Sequence, residues 1–133
     1  MSDIVTLREA LRLMLTNSSP LTTLLGGSYI YWRKNRGEIA VPCVLLSDSG
    51  LVAADVPLHD RNVRVEVYHT TVEVAEDIAK LIRGLWKAGT ALPQPSGWKV
   101  CYMGFAGDAE QDVEDGDVIQ RAMSFRLMAY ETT

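Results

Sequence analysis

Two imidazoles, His59 and His69, and two thiols, Cys43 and Cys101, are the chain's whole supply of these groups in 133 residues. His59 sits in D-V-P-L-H-D, beside Asp60. An imidazole next to a carboxylate can form an acid–base pair. Neighbours in sequence often diverge in space, however, and this setting predicts an exposed loop histidine. His69 closes an apolar-alternating stretch just before a threonine pair, where it packs ahead of a helix start. Cys43 and Cys101 lie in apolar runs without a C-x-x-C, and two histidines cannot complete a zinc set at the usual spacing. They read as free core thiols; a Cys43–Cys101 disulfide stays open. There is no G-x-S-x-G, and Ser47-Asp48-Ser49-Gly50 has turn composition. Gly26-Gly27 lacks the rest of a phosphate loop, and Gly104 with Gly107 makes no dinucleotide fingerprint. We expect no catalytic residue, no metal ligand and no cofactor.

The charged residues are more informative. Residues 108–117 (DAEQDVEDGD) hold six acids and no base: Asp108, Glu110, Asp112, Glu114, Asp115 and Asp117. Asp108, Glu110 and Asp112 alternate as at the start of a calcium loop. That loop would put Val113 where glycine is needed and Ile119 where glutamate is needed. The alternatives are a solvated connection and a contact with another chain. Arg33, Lys34 and Arg36 form the counterpart cluster, next to Tyr31 and Trp32. Basic residues beside aromatics can bind nucleic acid. Three charges on one turn of an acidic protein favour a solvated turn instead, with a patch complementary to a neighbouring subunit as the third reading.

These clusters must be carried by regular elements. Residues 3–16 form an amphipathic helix, with Ile4, Leu7, Leu11, Met14 and Leu15 on one face. Pro20 ends it and opens a short second helix capped by Ser19, which stops at Gly26-Gly27. Tyr29–Trp32 and Val41–Leu46 read as strands, and residues 48–60 as a long loop. Val63, Val65 and Val67 alternate with Arg64, Glu66 and Tyr68 in the clearest strand, Asn62 to His69. Thr70-x-x-Glu73 is a capping box for a helix reaching about Ala88 and closed by Gly89. Trp98–Phe105 and Val118–Tyr130 are the last strands. Ile119, Met123, Phe125, Leu127 and Ala129 should point one way, with Gln120, Ser124, Arg126 and Tyr130 the other, and Val65, Ile82 and Phe125 should be buried. The class is α+β: a mostly antiparallel sheet of about four to five strands, packed by two amphipathic helices.

The chain's size suits one domain, 1–133. At 47% hydrophobic and 23% charged it has ordinary globular composition, which excludes disordered and disulfide-scaffold classes. The net charge of −4 opposes general nucleic-acid binding. Outside residues 108–117, however, 13 bases face 11 acids, so one segment sets the sign of the whole. The N-terminus lacks signal-peptide character, and no run approaches the roughly 20 apolar residues that span a bilayer. Folding in the cytoplasm without membrane contact is expected.

Four stretches then resemble a known family: L-R-E-A-L-R-L-M-L with P-L-T-T-L-L-G-G and Y-I-Y-W (7–32), V-P-C-V-L-L-S (41–47), R-V-E-V-Y-H-T-T-V-E-V-A-E-D-I-A-K-L-I-R-G-L (64–85) and D-V-I-Q-R-A-M-S-F-R-L-M-A-Y-E (117–131). In this order they resemble the tail-completion, or tail terminator, proteins of long-tailed phages. The resemblance implies a small α+β virion subunit at the head–tail junction, forming a hexameric ring on the finished tail tube. Such a ring stops tube polymerisation, meets the head connector or stopper protein, and lets DNA pass without sequence-specific binding. It carries no catalytic residue. The insert around Asp48–Asp60 and the dense acidic segment depart from the family pattern.

A ring built head to tail needs two different complementary patches per subunit. Arg33, Lys34 and Arg36 against Asp108, Glu110, Asp112, Glu114, Asp115 and Asp117 are the candidate pair. In a rival arrangement the acidic segment faces the hole and repels DNA. The alternatives to a structural role are a small α+β ligand- or peptide-binding module and an enzyme with a scattered site.

Overall fold

The computed structural model describes residues 4–32, 40–52, 58–87, 97–108 and 119–131. Three helices lie along one face of a five-stranded sheet. In chain order these are α1 (Ile4–Thr16), α2 (Ser19–Leu25), β1 (Ile30–Trp32), β2 (Cys43–Val52), β3 (Leu58–His69), α3 (Val72–Leu85), β4 (Trp98–Asp108) and β5 (Ile119–Glu131). The strand order is β1-β2-β3-β5-β4. Only β1 and β2 run parallel; the other pairs are antiparallel. The α+β class expected from the alternation of apolar residues is the class observed.

The core fills the layer between helices and sheet. Leu7, Leu11 and Leu15 of α1, spaced one helical turn apart, meet Val44 and Leu46 of β2 and Val63, Val65 and Val67 of β3 within one apolar cluster. Ile78 and Ile82 of α3 join it, as do Met123, Phe125, Leu127 and Ala129 of β5. Trp86 meets Phe125 edge to face with ring centroids 5.4 Å apart, a favoured aromatic arrangement. Val65, Ile82 and Phe125 are fully enclosed, and the β5 phase is as its alternation dictates. A smaller cluster of Cys43, Leu45 and Tyr68 lies on the other sheet face, with Tyr31 and Val41 packed against it.

Several local expectations are corrected. Ser18, not Ser19, caps α2, accepting a hydrogen bond from the Leu21 N–H. Gly26 ends that helix in the left-handed region at φ 78°, where a side chain would be strained. The capping box before α3 does not form. Thr71 is the N-cap without a side-chain bond, and His69 Nδ1 accepts from the Thr71 N–H at 3.1 Å. The helix closes at Trp86, whose indole turns into the core, and not at Gly89.

The expected loop 48–60 is mostly strand. β2 continues to Val52 and pairs with β3 as far as His59, because ladder pairing overrides the turn-like composition of S-D-S-G. Cys101 is exposed while Cys43 is buried, and no disulfide joins them. Alternation from buried Trp98 and Val100 turns Cys101 outward, and an irregularity between Val100 and Tyr102 shifts the strand phase beyond it.

Candidate assembly surfaces

His59 is the residue whose placement differs most from expectation. The extension of β3 to Leu58 puts it in phase with Arg61 and Val63, and only 6% of it is exposed. Trp98 meets its ring edge-on at 4.9 Å. Its Nε2 lies 3.1 Å from a Glu131 carboxylate oxygen without forming a hydrogen bond, so the contact is one of charge when the imidazole is protonated. Arg61 Nη2 is 3.5 Å from Nδ1. Enclosed in this way, His59 has the setting of a packed core histidine. No group of three or more metal-ligating side chains occurs among the described residues.

Polar ties on the helix side fix α1 to the sheet. Asp48 of β2, 2% exposed, accepts two hydrogen bonds from the Arg8 guanidinium, at 3.0 and 2.8 Å. Arg61 Nη1 stands 3.8 Å from the same carboxylate. Arg12 donates to the Ile30 carbonyl at 2.7 Å, and the Trp32 indole N–H to the Arg8 carbonyl at 2.8 Å. Sequence reading did not single out these residues. The available signal was an acid within an apolar strand, which requires a partner once it is buried.

Among the proposed interface residues, Asp108 alone falls within the described chain. It ends β4 and is paired with Arg121 of β5. Arg121 also reaches Glu76 of α3 at 2.8 Å and the Ala122 carbonyl at 2.9 Å. Burial by itself would favour neutral Arg121. The hydrogen bond to Asp108 and the charges of Glu76 and Asp108 outweigh it, raising the guanidinium above its ordinary value. Asp108 is therefore engaged within its own chain. Arg33, Lys34, Arg36, Glu110, Asp112, Glu114, Asp115 and Asp117 lie outside the described residues. Their connections leave from opposite sides of the sheet, the basic one after edge strand β1 and the acidic one after edge strand β4.

The sheet face away from the helices carries a mixed ladder. Asp60 and Arg126 form a two-bond pair at 3.0 and 2.7 Å across β3 and β5. The hydrogen bond from Arg126 holds the Asp60 carboxyl below its ordinary value, against an opposing desolvation and with added help from the Arg126 charge. Arg64 lies 3.4 Å from Glu66, which also takes hydrogen bonds from Tyr68 and Gln120. At the β1 edge a cleft of about 450 Å³ opens among Leu25, Gly26, Tyr29, Tyr31, Ala40, Val41 and Pro42.

No protein-family profile matches the chain, and no curated protein does. Among solved structures it is similar to a chain in the virion of a native gene transfer agent particle. The TM-score is 0.75 at 17% identity, over 96% of this chain and 96% of that one. At that identity the likeness is one of fold, and it runs end to end.

Proposed function

We propose that this chain is a structural subunit of a phage-type particle, closing into a ring on the head-proximal end of the tail tube and joining tail to head. The observation that carries the reading is the end-to-end likeness in fold to a virion chain. The sequence resemblance to tail terminators supports it independently. So does the division of charge: the basic and acidic connections depart from opposite sheet edges, as two unlike patches of a head-to-tail contact would. Asp108 is engaged within its own subunit, so the contact falls to Glu110, Asp112, Glu114, Asp115 and Asp117 against Arg33, Lys34 and Arg36 of the next copy. The ring carries no catalysis; it works by capping one polymer and presenting a docking surface to another.

Mass measurement in solution with negative-stain imaging, alone and with tail-tube protein, tests the reading. Rings, formed freely or on tube ends, are expected. A protein that stays monomeric and neither binds tube protein nor caps tubes refutes it. Within a ring, Arg33→Glu with Arg36→Glu should weaken assembly, and adding Asp112→Arg with Asp115→Arg should partly restore it. Failure of the swap to restore rings would remove the charge pairing while leaving the ring itself standing.

A further inference from the structure

The cleft at the β1 edge is built to receive something. Two tyrosines, Tyr29 and Tyr31, line it together with Leu25, Val41 and Pro42. Its lining is mainly apolar, and its volume of about 450 Å³ lies within the range of ligand-sized clefts. Tyr29 is 45% exposed, yet its ring is held in position. It folds over Gly27, where a Cβ would come within 2.9 Å of the ring. The preceding turn is fixed by Gly26 and by the Gly27 N–H bonded to the Thr22 carbonyl at 2.9 Å. The Tyr29 carbonyl accepts from the Val44 N–H at 2.9 Å, which continues the β1–β2 pairing. A preset tyrosine beside a second tyrosine and a proline is the surface on which proline-containing extended segments dock.

We propose that this cleft receives the A-L-P-Q-P-S segment, residues 91–96, of a second copy of the chain. This rests on the ring reading above and names one contact within it. Charge selects the occupant. Four internal segments lie outside the described residues, and 33–39, 53–57 and 109–118 all carry charged side chains. Residues 88–96 carry none, and they hold Leu92, Pro93 and Pro95. Position agrees with charge. The segment joins α3 to β4, and β4 is the edge strand opposite the cleft. The cleft lies near the start of β2, and the segment precedes the start of β4, which runs antiparallel to β2 through β3 and β5. The starts of β2 and β4 therefore stand at diagonally opposite corners of the sheet. One copy cannot satisfy itself, and repeated copies join head to tail with their strands inclined to the ring axis.

Complementation tests this on the full chain. Tyr29→Ala disables the cleft; Pro93→Ser with Pro95→Ser disables the segment. Each variant alone should lose rings, while Tyr29→Phe keeps them. An equimolar mixture of the two should give heterodimers and no rings, because only one good contact remains per pair. The segment variant keeps a free cleft, so a synthetic peptide of residues 90–97 should bind it. Introducing Tyr29→Ala should weaken that binding at least tenfold, and a peptide with serine for both prolines should bind as poorly. Rings from both variants at wild-type yield would overturn the proposal and leave the ring reading intact. Two ring-less variants that form no heterodimer, or a peptide bound without regard to Tyr29 or the prolines, would overturn it too. A wild-type chain that never assembles would overturn the ring reading and this contact together.

Discussion

Asp48→Ala is the most informative single perturbation of the fold. The carboxylate is 2% exposed, and the facing guanidinium groups of Arg8 and Arg61 are 18% and 12% exposed. At 2.8 Å and an effective dielectric constant near 20, the Arg8 attraction alone is roughly 6 kcal/mol before desolvation. Desolvation of both ions offsets much of that, so the pair's net value is far smaller. Truncation is different, because it leaves two like charges facing each other in a half-dry space. Breaking a buried pair from one side typically costs about 3–5 kcal/mol. The expected loss for Asp48→Ala lies in that range, with little relief from added salt. Urea unfolding at fixed protein concentration measures it, since self-association would add its own term. Adding Arg8→Met should recover part of the loss, giving a coupling of at least about 1 kcal/mol. A loss for Asp48→Ala below about 1 kcal/mol, or strict additivity in the double variant, would refute the claim that this cluster fixes α1 to the sheet.

Phe125→Ala should cost about 3–5 kcal/mol by the same assay, because the ring is fully enclosed and meets both Trp86 and Phe105 edge to face. A thiol reagent should modify Cys101 at once and Cys43 only on unfolding; simultaneous modification would contradict the β4 phase. Asp60 is held below its ordinary 3.8 in the fold, so its contribution is fully present above that value and lost as pH falls through the folded one. Acid titration of Asp60→Asn should therefore show a slightly shallower stability loss below pH 3.8, and the effect should shrink in salt, because the Arg126 pair is exposed. Arg121→Met should free Asp108 from its own subunit and lower stability by leaving the Glu76 and Asp108 charges uncompensated, and Arg121→Lys should restore only part of it, lacking the planar fork. Equal stability of the Met variant and the wild type would count against the anchor.

The elements that burial dictates were legible in the sequence. Val63, Val65 and Val67 could face only one way, and Met123 to Ala129 likewise, so strand phases followed from alternation alone. Asp48 and His59 were misjudged because their types suit turns and loops. What placed them in strands was pairing with residues far along the chain, and neither the Arg8 partner, 40 residues away, nor the Trp98 ring leaves a local mark. Cys101 was misjudged because its run is apolar overall, whereas alternation from buried Trp98 and Val100 turns it outward. The parallel β1–β2 pair also has no signature in so short a strand. As for the candidate site, charge counting found the two clusters, but it could not see that Asp108 is already spoken for within its own subunit. The cleft escaped because its lining comes from three separate elements.

The position of β5 bears on how a cell makes this protein without accumulating half-formed sheets. β5 comes late in the chain yet lies inside the sheet, paired with β3 on one side and β4 on the other. A chain interrupted before residue 119 lacks the strand that joins β3 to β4, and with it Phe125 and the middle of the core. Non-local pairing of this kind forms late and cooperatively. Incomplete products therefore cannot present a finished sheet, and synthesis must pass β5 before β4 has a partner to pair with.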